Sequence, residues 1–302
     1  MKIKLKIPAT TANLGPGFDT LGLALDIFNT IEMEELRSGL EILITGEGLG
    51  ELPTNEKNLA YQAAHQVFQK AGSAPTGLRI TQNNQIPLSR GLGSSAAAIV
   101  GGLLAANKLL GNLLTHQQLL DMATEMEGHP DNVTPAFHGG LVVACMHNET
   151  VKFAAIKPPK PLWVVVVIPQ FHLSTRRART ILPECISMTN ATFNSSRVAL
   201  MVHAFQSGDY SLLQWACDDR LHQPYRAQLI PGLLQVIDAA KQGGSLGAAL
   251  SGAGPTVIAF AVSQPDKVGA AMQECFKQHG VDSQVIITQI NTTGTEQLEC
   301  LG

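Results

Sequence analysis

The chain opens on an alternation, Lys2-Ile-Lys-Leu-Lys-Ile7, in which every second residue is aliphatic. That period of two predicts a half-buried β-strand over Lys2–Ile7. It also differs from a secretory leader, which sets its charges before one unbroken apolar block. Further strand patterns stand at Ile31–Leu36, Leu40–Thr45 and Leu78–Asn83. Between them the period lengthens: Leu59, Ala63, Val67 and Ala71 recur every four residues and predict a helix over Asn58–Ala71, started by Thr54 or Asn55 and stopped by Gly72. A second helix is expected from the Ser94–Ser95 pair through Leu110. A third is expected over Gln117–Glu127, capped by Thr115 and ended by Gly128 and Pro130.

Lys157-Pro-Pro-Lys-Pro161 interrupts these patterns with a stiff, exposed stretch, and places a domain boundary there, giving units 1–157 and 158–302. Past it, strands at Leu162–Ile168, Ala248–Ser251, Thr256–Ala261 and Ser283–Gln289 interleave with helices over Ser195–Ser207, Tyr210–Leu221, Gly232–Gln242 and Asp266–His279. That order predicts a small α+β sandwich. The longest purely apolar run, Leu162–Ile168, falls far short of the ~20 residues that cross a bilayer.

Composition narrows the function classes. At 302 residues, with 45% hydrophobic and 15% charged, the chain can bury a large core. A net charge of −3 lacks the basic surplus of a nucleic-acid or anionic-membrane binder, and aromatics at 5% offer few stacking platforms. Cys145, Cys185, Cys217, Cys275 and Cys300 are odd in number and form no CxxC pair, which excludes a disulfide framework or zinc ribbon and suits a reducing cytoplasm.

The glycines cluster in three places. Pro87-Leu-Ser-Arg-Gly91-Leu-Gly93-Ser94-Ser95-Ala96-Ala97 sets two glycines before a helix start, where unpaired main-chain N–H groups and the positive dipole end converge on an anion. It lacks the lysine of a Walker loop and the third glycine of a dinucleotide fingerprint, and alone it is also compatible with a plain turn before a capped helix. Pro8-Ala-Thr-Thr-Ala-Asn13-Leu-Gly15-Pro-Gly17-Phe-Asp19 reads as a loop displaying an amide and an acid. Gly243-Gly244-Ser-Leu-Gly247-Ala-Ala-Leu-Ser251-Gly252-Ala-Gly254-Pro255 lies between a helix and a strand. Three such loops point to a site built between domains. Glu127-Gly-His129-Pro-Asp131-Asn132 adds two carboxylates, an imidazole and an amide, and a carboxylate near a phosphate loop suits Mg²⁺. Asp218 and Asp219, beside Arg220, read as surface charges or local salt bridges, and Arg176 and Arg177 as a solvated basic loop or an RNA patch.

Taken together, PATTANLGPGFD, PxxxGLGSSAA, EGHPDNV, the Ser174–Arg179 stretch, DRLHQPYR and GAALSGAGPT resemble, in order, the motifs of the homoserine kinases within the GHMP kinase superfamily. The resemblance implies an α+β, two-domain fold: an N-terminal domain like the second domain of ribosomal protein S5, and a ferredoxin-like C-terminal domain. It implies ATP and Mg²⁺ as cofactors, phosphorylation of the L-homoserine hydroxyl, and a cytoplasmic homodimer without nucleic-acid or membrane partners. Carried over by motif, Pro87, Leu88, Ser89, Arg90, Gly91, Leu92, Gly93, Ser94, Ser95, Ala96 and Ala97 cradle the nucleotide. Ser94 or Ser95 and Glu127 hold the metal, and Asn13, Asp19, His129, Asn132, Arg179 and Arg226 line the acceptor pocket. Homoserine is a zwitterion, so Asp19 suits its ammonium and Arg179 or Arg226 its carboxylate. Asn132 stands where several relatives carry an aspartate base, with Asp131 beside it as the rival base. The segment from Glu127 to His129 is shorter than in some relatives. Another small alcohol as acceptor, such as mevalonate, and a non-catalytic sensor on the same fold are the competing readings. The intact glycines and Glu127 speak against the sensor.

Overall fold

A computed structural model describes residues 1–301 and shows two β-sheets flanked by helices. The opening alternation continues well beyond its pattern. Strand β1 spans Lys2–Asn13, alternately buried up to Ile7 and buried at every position after it. Its partner β2 runs Gly17–Leu36, with Asn13 opposite Gly17. The segment read as a loop is therefore a hairpin whose turn is only Leu14–Pro16, because main-chain pairing outweighs the turn propensity of its glycines. Strand β3 (Gly39–Gly46) lies parallel to β4 (Gly77–Asn84), with helix α1 (Leu59–Ala71) between them in sequence. The cap of α1 is Asn58 rather than Thr54 or Asn55: its Oδ1 accepts from the N–H groups of Ala60 and Tyr61 at 3.0 and 3.3 Å. Gly72 closes the helix in the left-handed region, as expected.

Helix α2 covers Ser94–Leu109, and α3 covers His116–Glu127 behind a complete Thr115/Gln118 capping box. The sequence reading did not anticipate the next helix, α4 (Pro130–His138), although Pro130 at its first position and Asp131 in its first turn are start signals. A hairpin of β5 (Leu141–His147) and β6 (Thr150–Ile156), also unanticipated, turns at Asn148 and Glu149.

The second sheet is built from β7 (Trp163–Pro169), β8 (Gly247–Leu250), β9 (Val257–Ala261) and β10 (Ser283–Gln289) in the order β10-β7-β9-β8, antiparallel throughout. This is the expected ferredoxin-like order. The apolar run of β7 is unbroken because both faces are covered. Val164, Val166 and Ile168 join the core shared with the first sheet, while Val165 and Val167 join the core beneath α9 (Leu233–Gln242) and α10 (Pro265–Gln278).

Between these strands lie α5 (Thr175–Thr180), α6 (Met188–Ser207, starting earlier than its pattern), α7 (Leu213–Ala216) and α8 (Gln223–Arg226). One helix was expected over Tyr210–Leu221. It breaks after Cys217 because the Asp219 carboxylate takes the N–H groups of Leu221, His222 and Gln223 at 2.8, 3.0 and 2.7 Å. Asp219 is thus no surface charge; its side chain is fully buried. Asp218 is exposed and pairs with Lys241, as read.

The division at residues 157 and 158 assigns all later residues to the second unit, yet β11 (Glu296–Leu301) returns to pair with β1. The first sheet therefore has seven strands, β11-β1-β2-β4-β3 with β5 and β6 branching from β2. Among the described residues no helix is long and apolar enough to cross a membrane. Cys145, Cys185, Cys217 and Cys275 are unbonded, and the Cys300 side chain lies outside the described residues.

Candidate active site

The segment joining β4 to α2 makes two close approaches that require glycine. Gly91 and Gly93 adopt φ of +78° and +69°. A Cβ at Gly91 would lie 2.2 Å from the Ser251 carbonyl, and one at Gly93 would lie 2.0 Å from Thr10 Oγ1. With glycine as its N-cap, α2 starts without a side-chain cap, which leaves its first N–H groups for a ligand. The segment borders a cavity of about 400 Å³ lined by Pro87 through Ser95. Ala96 and Ala97 are buried in the helix core instead, and Ala98 reaches the cavity. The Arg90 guanidinium donates to the carbonyls of Pro169 and Phe171 and ties the loop to the end of β7. The third glycine cluster braces the loop as well. Ser251 Oγ stands 2.5 Å from Gly91 O and 2.8 Å from Thr11 Oγ1.

Beside the helix start, Ser95 Oγ donates to Glu127 Oε1 at 2.8 Å, so the short segment before His129 still delivers Glu127, the last residue of α3, to the start of α2. Burial pushes the Glu127 carboxyl above its ordinary range, against the pull of the Ser95 hydrogen bond. Ser94 lines the cavity next to this pair. A hydroxyl and a carboxylate beside a helix terminus free to bind phosphate suit Mg²⁺, a hard cation that takes few protein oxygens. Asp19, His129 and Asp131 also present ligand atoms within 4.8 Å of one another. All three already have partners inside the protein, and an imidazole nitrogen suits Mg²⁺ poorly.

The other end of the cavity is charged. Asp19 and Arg179 form a bidentate pair, Nη1 to Oδ2 at 2.9 Å and Nη2 to Oδ1 at 2.7 Å, which raises the Arg179 pKa. Helix α5 places Arg179 there, whereas Arg176 and Arg177 are exposed as expected but stand on this helix rather than in a loop. Arg226 on α8 is 2% exposed, and its guanidinium donates to the carbonyls of Ala178 and Gly252. Burial, then the nearby charge of Arg179, lowers its pKa to about 10, which still leaves it a cation at neutral pH. Asn13 lines the cavity with both amide ends engaged: Nδ2 donates to Gly252 O and Oδ1 accepts from Asp19 N–H, each at 3.0 Å. The first turn of α4 contributes Asp131, 1% exposed, and Asn132. Asp131 Oδ1 bonds His129 Nδ1 and accepts from Asn132 Nδ2 at 3.3 Å. Burial works against a charge on His129, but the Asp131 contact and the acids around it prevail and raise its pKa.

The supporting roles of Thr10, Ser251, Asp219 and His222 are not visible in the sequence. His222 is fully buried, with Nε2 2.7 Å from Gly15 O and Nδ1 3.2 Å from Arg226 Nη1. Arginine can only donate, so Nδ1 accepts and Nε2–H donates to Gly15. That is the neutral tautomer, in keeping with a pKa that burial lowers. The "HQPYR" run was the available signal, but its histidine was given no role.

Family models describe the same two halves: "GHMP kinases N terminal domain" matches residues 58–140 and "GHMP kinases C terminal" matches 201–278. The homoserine kinase of Moorella thermoacetica is 49% identical over 281 residues, covering 93% of this chain and 95% of that protein. That of Carboxydothermus hydrogenoformans is 47% identical over 97% and 95%. Among solved structures, a homoserine kinase from Cytophaga hutchinsonii superposes with a TM-score of 0.89 at 33% identity, covering 98% of this chain and 97% of that one. The mevalonate kinase of L. major, solved with R-mevalonate, has a TM-score of 0.71 at 19% identity and shares the fold. With motifs, strand order and cavity all in agreement at this level of identity, the chain belongs to the homoserine kinase branch of the GHMP kinase family.

Proposed function

We propose that this chain transfers the γ-phosphoryl group of ATP to the side-chain hydroxyl of L-homoserine, giving O-phospho-L-homoserine and ADP. The observation that carries this reading is a cavity with a bare helix N-terminus at one end and the Asp19–Arg179 pair, backed by Arg226, at the other. A zwitterionic amino acid can replace the partners that Asp19 and Arg179 now give each other, its ammonium meeting the acid and its carboxylate the arginines. Mevalonate brings a carboxylate and no amine, so binding it here would leave Asp19 without a cationic partner, a costly state in a partly buried site. In a coupled ADP-release assay over homoserine, mevalonate, galactose and shikimate, only homoserine is expected to turn over efficiently. Equal turnover of mevalonate would overturn the acceptor assignment.

In this reading the N–H groups of the Gly91–Ser95 segment bind the triphosphate. Asn58, Leu59 and Asn84, which also line the cavity, are the candidates to face the adenine. Ser94 or Ser95 with Glu127 would hold Mg²⁺, which supplies neutralisation of the phosphate charge. Replacing Glu127 by Gln should raise the Mg²⁺ concentration for half-maximal activity by about 10-fold or more, the scale seen even for residues one step removed from a metal. An unchanged Mg²⁺ titration would remove Glu127 from the site. Asn132 positions the hydroxyl. Transfer is chiefly a matter of positioning and charge stabilisation, and the hydroxyl proton leaves through a phosphate oxygen without a dedicated protein base.

A further inference from the structure

Asn132 has two neighbours that decide which way its amide points. On one side Thr10 Oγ1 lies 2.9 Å from Oδ1; on the other, Asp131 Oδ1 lies 3.3 Å from Nδ2. A hydroxyl can donate or accept, so Thr10 alone would tolerate either orientation of the amide. A carboxylate only accepts. Turning the amide over would set two acceptor oxygens against each other at Asp131, so the N–H must face Asp131 and the carbonyl must face Thr10. Thr10 is then forced to donate. We propose that Thr10 is a positioning residue for phosphoryl transfer, which together with Asp131 locks the Asn132 carboxamide so that it offers the acceptor hydroxyl an N–H rather than a carbonyl.

The location of Thr10 supports the assignment. Its side chain is fully buried, its N–H donates to Leu92 O at 3.1 Å, and its Oγ1 occupies the space a Cβ of Gly93 would need. One β1 residue therefore holds the amide of the acceptor side in register with the phosphate loop of the donor side. With Oδ1 taken by Thr10, an N–H of Asn132 donates to a lone pair of the acceptor oxygen. The hydroxyl keeps its own hydrogen free for a phosphate oxygen, which is where the base-free transfer needs it.

This inference rests on the proposed homoserine phosphorylation, and the test separates the two. Thr10→Val keeps the β-branched shape that strand β1 favours and deletes the hydroxyl. It should lower kcat by about 10- to 100-fold, the scale of a misplaced reacting group, while leaving the KM for ATP nearly unchanged. Thr10→Ser restores the donor and should recover kcat to within about threefold of the parent, a residual set by the lost methyl packing. In an Asn132→Ala background, Thr10→Val should cost no more than about twofold further, because two residues acting through one interaction are not additive. A full additional loss in that background, or an unaffected kcat for Thr10→Val alone, overturns the positioning role while homoserine turnover by the parent stands. A parent that fails to phosphorylate homoserine overturns the functional reading, and this inference with it.

Discussion

Replacing Gly93 by alanine is expected to lower kcat/KM for ATP by about 10² to 10³. The left-handed backbone at this position costs a non-glycine residue about 1–2 kcal/mol. The added methyl would lie 2.0 Å from Thr10 Oγ1, and crowding of that kind in a packed site costs about 1–3 kcal/mol more. Thr10 cannot simply swing aside, because it is buried and bonded to Asn132. The strain is relieved by shifting the start of α2, and with it the N–H groups proposed to grip the triphosphate. At about 1.4 kcal/mol per factor of ten, the sum covers the expected range. Since any movement of Thr10 also releases Asn132, kcat should fall along with nucleotide affinity. Gly72→Ala is the control: it has the same sign of φ, +65°, and open space around its Cβ. It should lower stability by about 1 kcal/mol and leave both kinetic constants alone. Steady-state kinetics beside a denaturant titration separate the two. Unchanged ATP kinetics for Gly93→Ala would mean that the glycine loop does not carry the nucleotide.

Legibility in the sequence followed the range of the forces at work. Elements fixed by local periodicity or local caps were readable: α1, α2, α3 and the four strands of the second sheet fall close to their patterns. Elements fixed by distant partners were not. Nothing in Pro8–Asn13 announces a strand; it is one because β2 pairs along it, with register shifts after Pro8 and after Ala12. Helix α4 was obscured because "GHPDN" reads as a turn until the residues after it are known to coil. The return of β11 to β1 depends on an edge nearly 300 residues earlier in the chain, as the pairing of Lys2 with Leu301 shows. The site divides in the same way. Residues whose chemistry is visible one at a time, among them Asp19, Glu127, Arg179 and Arg226, were found and do line or border one cavity. Residues that matter through a partner were missed, because a buried threonine or histidine carries no signal until its neighbour across the fold is known. Even among those found, the partnership was new: Asp19 and Arg179 were assigned separately to the two charges of a ligand, and they hold each other.

The comparison of Asn132→Ala with Asp131→Asn decides how the acceptor is activated. Asn132→Ala removes the group proposed to position the hydroxyl and should reduce kcat by about 10² to 10³, since small misplacements of reacting atoms have effects of that order. Asp131→Asn should be milder, about tenfold. Asp131 Oδ1 is occupied by His129 and Asn132, and the side chain is only 2% exposed, so in this structure the carboxylate acts on its neighbours. An asparagine there keeps one acceptor oxygen and loses only part of that orientation. A general base would behave otherwise, because losing its proton acceptor costs about 10² to 10⁴ in turnover. Should Asp131→Asn lose about three orders of magnitude in kcat with the KM values for homoserine and ATP preserved, Asp131 takes the proton and the base-free account fails. A tenfold loss alongside a far larger one for Asn132→Ala means that the nucleophile is activated by placement. In that case the acid beside it serves to aim an amide.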